Sequence, residues 1–359
     1  MKHPENIATL LILVLVSAAA HAEIKLPSLF ADHMVLQRGM AVPVWGIVGP
    51  NQEVTLEIAG KTAKAKADAS GNFIAKLPEL EYAGNAVTMT IDAGGEKLVL
   101  KDVLIGDVWV GSGQSNMEWT IKMSSKNPED LEKTAKAADH PNIRLFTFPK
   151  TTLLEPTKEV LGKWEVCSPE TVKNFSAVAY HFGRNIHEME KVPVGLITNA
   201  WGGMPVESYI SDEAMKSDPA YKPLLDRKEA TAQNLPNLKA EYEKKLAAWE
   251  KAAATNPSTK PGAKPQEPMG PRAPNLASNL YHGMVHPIIP YAIKGAIWYQ
   301  GESNAGRAEQ YRTLFPAMIT DWRKQWGQGD FPFIWVQLAN FMERKPEPGD
   351  SAWAELREA

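Results

Sequence analysis

The chain has 359 residues, 44% of them hydrophobic and 23% charged, with a formal charge of −3. That balance supports a buried core and excludes the basic excess that a nucleic-acid partner requires. Cys167 is the only cysteine, so an intrachain disulfide is impossible and no thiolate set exists to hold a metal.

The N-terminus carries Lys2, an apolar run from Leu10 to Val16, and then Ala18-Ala19-Ala20-His21-Ala22. A basic start, a short apolar core and small residues at the −3 and −1 positions predict a secretory signal peptide over residues 1–22, cleaved after Ala22. The apolar core is too short to span a membrane, which needs ~20 residues, so no membrane association is expected after cleavage. Residues 23–102 show short alternating strands at Val42–Gly46, Val54–Ile58, Phe73–Leu77 and Ala86–Ile91. Turn residues separate them at Gly49-Pro50-Asn51, Ala69-Ser70-Gly71-Asn72 and Ala93-Gly94-Gly95. That spacing predicts a small N-terminal β-sandwich domain.

From Val103 the rhythm changes. Val103–Val110, Ile143–Phe148, Val194–Thr198, Gly295–Tyr299 and Phe333–Leu338 read as buried parallel strands, with helices over Ser176–Lys191 and Ala308–Trp326. Apolar strands with helical crossovers predict an α/β domain over 103–359 built on a doubly wound parallel sheet. An insert over about 217–275 interrupts it. Lys222–Ala254 is helical in pattern, with Leu238, Tyr242, Leu246 and Trp249 on one stripe, and Thr255–Pro274 is a Pro/Lys-rich extended loop.

Chemistry is expected at the ends of these strands, because doubly wound sheets place their sites outside the carboxyl edge. Gly111-Ser112-Gly113-Gln114-Ser115-Asn116-Met117-Glu118-Trp119 leaves the first strand through a glycine-lined turn and presents Ser115 beyond it. Small neighbours allow a sharp turn and close approach of a substrate carbonyl. The pattern is not Gly-x-Ser-x-Gly, so an α/β-hydrolase elbow is not indicated. Trp201-Gly202-Gly203 and Tyr299-Gln300-Gly301-Glu302 follow two further strands, so three loops are expected to meet at one edge.

Gly113–Trp119 after an Asp-Val-Trp strand resembles the first block of the sialate O-acetylesterase branch of the SGNH hydrolases. Leu29–Arg38 resembles that family's N-terminal opening, Ala200–Glu207 its glycine block, and Trp298–Asn304 its third block. The resemblance implies an SGNH-like fold and a serine carbohydrate esterase that removes O-acetyl groups from sialic acid or a related sugar. Ser115 would be the nucleophile, with its own backbone N–H, Gly202 and Gln300 forming the oxyanion hole. Asn116, Trp119, Trp201, Gly203, Tyr299 and Glu302 would surround the substrate, and Asn116 and Glu302 would tie the loops together. No cofactor or metal is expected, and the partner is a small acetylated sugar or glycan.

The family's base, a histidine in an Asp-x-x-His-Pro block, has no counterpart after Gln337, so the base is expected beyond Ala359. His282 and His286 stand at i,i+4 spacing, but no glutamate lies between them and no third ligand is evident. They also fall at the wrong end of a strand to reach Ser115, and His181 and His187 lie on a covering helix. Two alternatives stay open at this point: a deacetylase of acetylated xylan or another polysaccharide, and a glycan-binding protein without catalysis.

Overall fold

The computed structural model describes residues 23–255, 262–341, 343, 347 and 349–359. The expected signal segment lies outside the described residues. Twelve strands are described: β1 Val35–Gln37, β2 Val42–Ile47, β3 Glu53–Ile58, β4 Lys61–Lys66, β5 Asn72–Leu77, β6 Val87–Ala93, β7 Glu96–Gly113, β8 His140–Thr147, β9 Trp164–Cys167, β10 Val194–Thr198, β11 Gly295–Tyr299 and β12 Phe333–Trp335. The α-helices are α1 Ser115–Glu118, α2 Ile121–Ser124, α3 Pro128–Lys136, α4 Ala177–Glu190, α5 Asp212–Ser217, α6 Lys222–Gln233, α7 Leu235–Thr255, α8 Ala308–Trp326 and α9 Ala352–Glu358. No helix among the described residues is long and apolar enough to cross a membrane.

In the N-terminal part, β4, β3, β6 and the first half of β7 pair antiparallel, and β2 pairs with β5. Alternation drives this arrangement: Val54, Leu56 and Ile58 of β3 and Phe73, Ala75 and Leu77 of β5 point inward while their neighbours stay out. Lys-Thr-Ala-Lys-Ala-Lys forms β4, a strand with little sequence signal because Thr62 is its one β-branched residue and it has no aromatic one. It sits at the sheet edge, where its lysines discourage further pairing.

β7 is the spine of the molecule. Its residues 97–102 alternate or lie outside, whereas Leu104–Gly113 are buried without a break, as expected for a strand covered on both faces. Asp102, at the change, takes a left-handed backbone (φ 54°). The expected domain boundary between residues 102 and 103 therefore falls inside one strand. Past it, β7 pairs parallel with β10 on one side and β11 on the other. β8 extends the sheet beyond β10, antiparallel β9 lies outside β8, and β12 lies outside β11. Successive crossovers thus go to opposite sides of β7, which makes its carboxyl end a topological switch point.

Helix limits follow local chemistry. The Ser176 side chain caps α4, accepting from Ala179 N–H at 3.1 Å, and Lys191 closes it in a left-handed conformation. α8 ends at left-handed Gly327, the residue type best suited to that turn. One strand departs from expectation. The segment predicted as a buried strand over Phe333–Leu338 is shorter, and Ile334 and Trp335 are 46% and 57% exposed. β12 has a neighbour on one side only, so its apolar residues report edge position rather than burial.

The insert forms α6 and α7, and residues 262–272 run back along α7. The Trp249 indole donates to Gly262 O at 2.7 Å, Lys239 pairs with Glu267 at 3.7 Å, and the Leu235 side chain packs at Gly270. The stripe of Leu238, Tyr242, Leu246 and Trp249 is half-buried on this face, and no residue of α7 is fully buried.

Cys167 ends β9 fully enclosed, and burial pushes its thiol up to about 12. A thiolate is the reactive form. Native protein is therefore expected to resist a thiol-disulfide reagent at neutral pH and to react only on unfolding, with the rate tracking urea concentration. Fast labelling of the folded chain would contradict this burial.

Candidate active site

The three loops expected to meet do so at the carboxyl edge of β10, β7 and β11. Gln114 N–H donates to Tyr299 O at 3.0 Å, and Trp201 N–H donates to Gly113 O at 3.0 Å. Buried Tyr209 supports both: its hydroxyl donates to Gly113 O at 2.7 Å and accepts from Trp201 N–H at 3.2 Å. Burial raises that phenol well above its ordinary value, so it stays a neutral donor. The Gln114 side-chain oxygen accepts from Gly301 and Ser303 N–H at 3.4 and 3.2 Å, joining the serine loop to the third block.

Ser115 opens α1 and is half-buried. Gly202 lies against it: a Cβ placed on Gly202 would sit 3.4 Å from Ser115 Cβ and 3.1 Å from a Glu118 carboxylate oxygen. A side chain at 202 would touch the serine and press on the Glu118 carboxylate. Gly203 follows with φ 77° and faces open space, a backbone conformation that favours glycine. The Gly202 N–H donates to Glu118 Oε2 at 2.5 Å, and Glu118 Oε1 lies 2.5 Å from Lys150 Nζ. Lys150 Nζ in turn stands 5.5 Å over the Trp201 ring.

Asn116 donates from Nδ2 to Glu302 Oε1 at 2.6 Å, a direct bond between loops 186 residues apart. Burial raises the Glu302 carboxyl above the ordinary glutamate range, against the opposing effect of hydrogen bonds from its own and Gly301's backbone N–H and from Asn116. The folded protein thus holds this proton more tightly than the unfolded chain does. The associated stability is full below the ordinary glutamate value and is lost as pH rises through the folded one. Glu302→Gln keeps an oxygen for Asn116 and removes the loss. Its melting temperature is expected to exceed that of the parent at about pH 8, with the gap closing near about pH 4; a gap that persists at the lower pH would contradict this.

Gln300 departs from the expected geometry. Its side-chain Nε2 donates to Asn304 Oδ1 at 2.7 Å and to Met204 O at 3.2 Å, so both amide hydrogens hold the loops instead of facing Ser115. Behind it, Asn304 accepts from Val206 N–H at 3.0 Å and donates to Glu207 Oε2 at 3.0 Å. Glu207 has no exposed surface, and its other oxygen takes Arg307 at 2.7 Å and Arg227, from the insert helix α6, at 3.4 Å. Gln114, Glu207, Asn304, Glu118 and Lys150 were not singled out from sequence. The first four lie inside the quoted blocks, as polar residues among glycines and apolar neighbours, which is the signal that marks them; Lys150 carries none.

The aromatic residues expected around a sugar are placed differently from one another. Trp119, one turn beyond Ser115, is 47% exposed, whereas Trp201 and Tyr299 are half-buried. A neighbouring pocket of about 270 Å³ is lined instead by residues including Glu118, Met123, Phe148, Lys150 and Asn174. The described histidines are engaged elsewhere. His33 pairs with Asp102 at 2.6 Å, His282 lies 3.4 Å from Asp212, and His187 and His286 bond to the Val192 and Thr157 carbonyls. His140 and His181 pack on Tyr180. Among the described residues, no group of three or more His, Cys, Asp or Glu side chains is arranged to hold a metal ion.

Comparison with known proteins agrees with the blocks. A carbohydrate acetylesterase from Xanthomonas citri superposes with a TM-score of 0.73 at 32% identity, covering 94% of this chain and 65% of that one. The sialate O-acetylesterases of Rattus norvegicus and Homo sapiens are 28% and 27% identical over 94% and 91% of this chain. The chain spans 64% and 59% of their respective lengths. The family model for carbohydrate esterase, sialic acid-specific acetylesterase, matches residues 105–241 and 271–358, more than half of the sequence and all three loops, and the chain belongs to that family.

Proposed function

We propose that this chain carries the nucleophile of a serine esterase that removes O-acetyl groups from sialic acid or a related acetylated sugar. The observation that carries the reading is the meeting of three loops around half-buried Ser115, with Gly202 packed against it. Relatives named as sialate O-acetylesterases and a structural neighbour named as a carbohydrate acetylesterase support the substrate class.

Ser115 Oγ attacks the acetyl carbonyl carbon, and the carbonyl electron pair moves onto oxygen. The Ser115 backbone N–H is the first donor to that oxyanion; Gly202 N–H and the Gln300 amide join it once they leave Glu118 and Asn304. Collapse breaks the bond to the sugar oxygen, which leaves with a proton as the free hydroxyl. Water then attacks the acetyl-serine and releases acetate. On this reading the proton acceptor is the histidine of the Asp-x-x-His block that the resemblance implies. The reading includes export through the N-terminal signal, supported by its charge and small-residue pattern alone.

Acetate release from O-acetylated sialic acid, compared with acetylated xylan, tests the proposal together with mass spectrometry of fluorophosphonate-treated protein. Release from the acetylated sialic acid with the adduct on the Ser115 peptide supports it. An adduct elsewhere, or equal release with Ser115 replaced, removes the esterase reading. Faster release from xylan favours the polysaccharide deacetylase.

A further inference from the structure

The Gly202 amide has one hydrogen, and it is already taken. It points at Glu118 Oε2 at 2.5 Å, and that oxygen stands on the face of Gly202 that also meets Ser115. A donor so engaged cannot serve a developing oxyanion, and a fixed carboxylate beside the reacting oxygen opposes negative charge there. Glu118 is held in place by Lys150 at 2.5 Å, with Glu118 28% and Lys150 45% exposed. Both line the pocket of about 270 Å³ whose walls also include Met117 and Ala200, which stand two residues along the chain from Ser115 and Gly202 respectively. An anion entering this pocket meets a flexible, solvent-reaching ammonium whose present partner is the carboxylate that blocks Gly202.

Resting on the reading of Ser115 as nucleophile, we propose that Glu118 is a built-in occupant of the Gly202 donor and that a carboxylate-bearing acetylated sugar displaces it by taking Lys150. Two carboxylates then compete for one ammonium. The substrate carboxylate forms the charge-assisted bond with Lys150, like-charge repulsion turns Glu118 toward solvent, and the acetyl oxygen takes the freed N–H. A neutral acetylated sugar has no group that binds the displaced state better than the resting one, so it cannot shift the equilibrium. Lys150 is thereby the specificity-determining residue, and the site is fully formed only with an acidic sugar bound.

The test uses the full chain labelled with ¹⁵N-glycine, the Gly202 resonance being identified by its loss in Gly202→Ala. Adding sialic acid is expected to move the Gly202 amide upfield, toward its position in Glu118→Ala. The methyl ester of sialic acid, which has the same shape without the charge, is expected to leave it in place, as is sialic acid added to Lys150→Met. Glu118→Ala is further expected to raise turnover of a neutral acetyl ester about tenfold, with Glu118→Gln intermediate.

A wild-type Gly202 signal that ignores sialic acid, or that moves equally with the methyl ester, overturns the displacement. So does unchanged or lower neutral-ester turnover in both Glu118 variants. If Ser115→Ala turns over as fast as the wild type while the Gly202 response persists, the esterase reading falls and the displacement stands.

Discussion

Glu207→Ala is expected to lower the free energy of unfolding by about 3–5 kcal/mol, the range for removing one partner of a buried ionic cluster. Glu207 has no exposed surface and is the acceptor for Asn304, which is 1% exposed, and for two arginines. Its loss strands the Asn304 amide and leaves two guanidinium groups facing each other across a void. Arg307 and Arg227 keep 32% and 41% exposure, so water recovers part of the cost and the lower end of the range is favoured. Glu207→Gln retains the shape and one acceptor, and about 1.5–3 kcal/mol is expected, the range for a hydrogen bond to a charged group. Urea denaturation with a shared slope measures both. Equal stability of Glu207→Ala and the parent would show that the cluster contributes nothing. Because Asn304 also holds Gln300, slower fluorophosphonate labelling is expected to accompany the stability loss.

Ser115→Ala is the substitution with the largest expected effect on chemistry. Acetyl transfer through this hydroxyl ends with it, and, assayed with an Asp-x-x-His block appended to supply the base, hydrolysis of an acetyl ester is expected to fall by about 10³-fold or more, with no covalent adduct. Stability should change little, because the residue is half-buried at the first position of a four-residue helix and its side chain caps no helix end. A loss of activity with an unchanged urea midpoint is therefore the expected pair of results. A large stability change would mean that the serine is structural, and retained activity would mean that another residue attacks.

The legible part of this protein lay in periodicity and in loop position. Strands such as Val194–Thr198 and Gly295–Tyr299 appear at their expected residues, as short, mainly apolar runs flanked by strands on both sides and buried along nearly their whole length. α8 runs from Ala308 to Trp326 as its pattern required, and Gly327 stops it. Once those strands are parallel, their following loops must gather at one edge, so Ser115, Gly202 and Gln300 become neighbours of the same crevice. The resemblance of three blocks to a single family pointed to the same edge.

Other features needed the folded chain. β4 is made of lysine, alanine and threonine, and it is a strand because β3 offers it an open edge. Ile334 and Trp335 of β12 are apolar yet exposed, because hydrophobic sequence cannot distinguish a central strand from one with a single neighbour. Within the site, the donors expected from Gly202 and Gln300 are both engaged, one with Glu118 and the other with Asn304 and Met204. Sequence by itself determined which segments carry chemistry and at which end of the sheet, since local pattern records burial and direction. Only the tertiary structure decided which polar atom faces which, because partners such as Asn116 and Glu302 are 186 residues apart and meet through packing that no local pattern encodes.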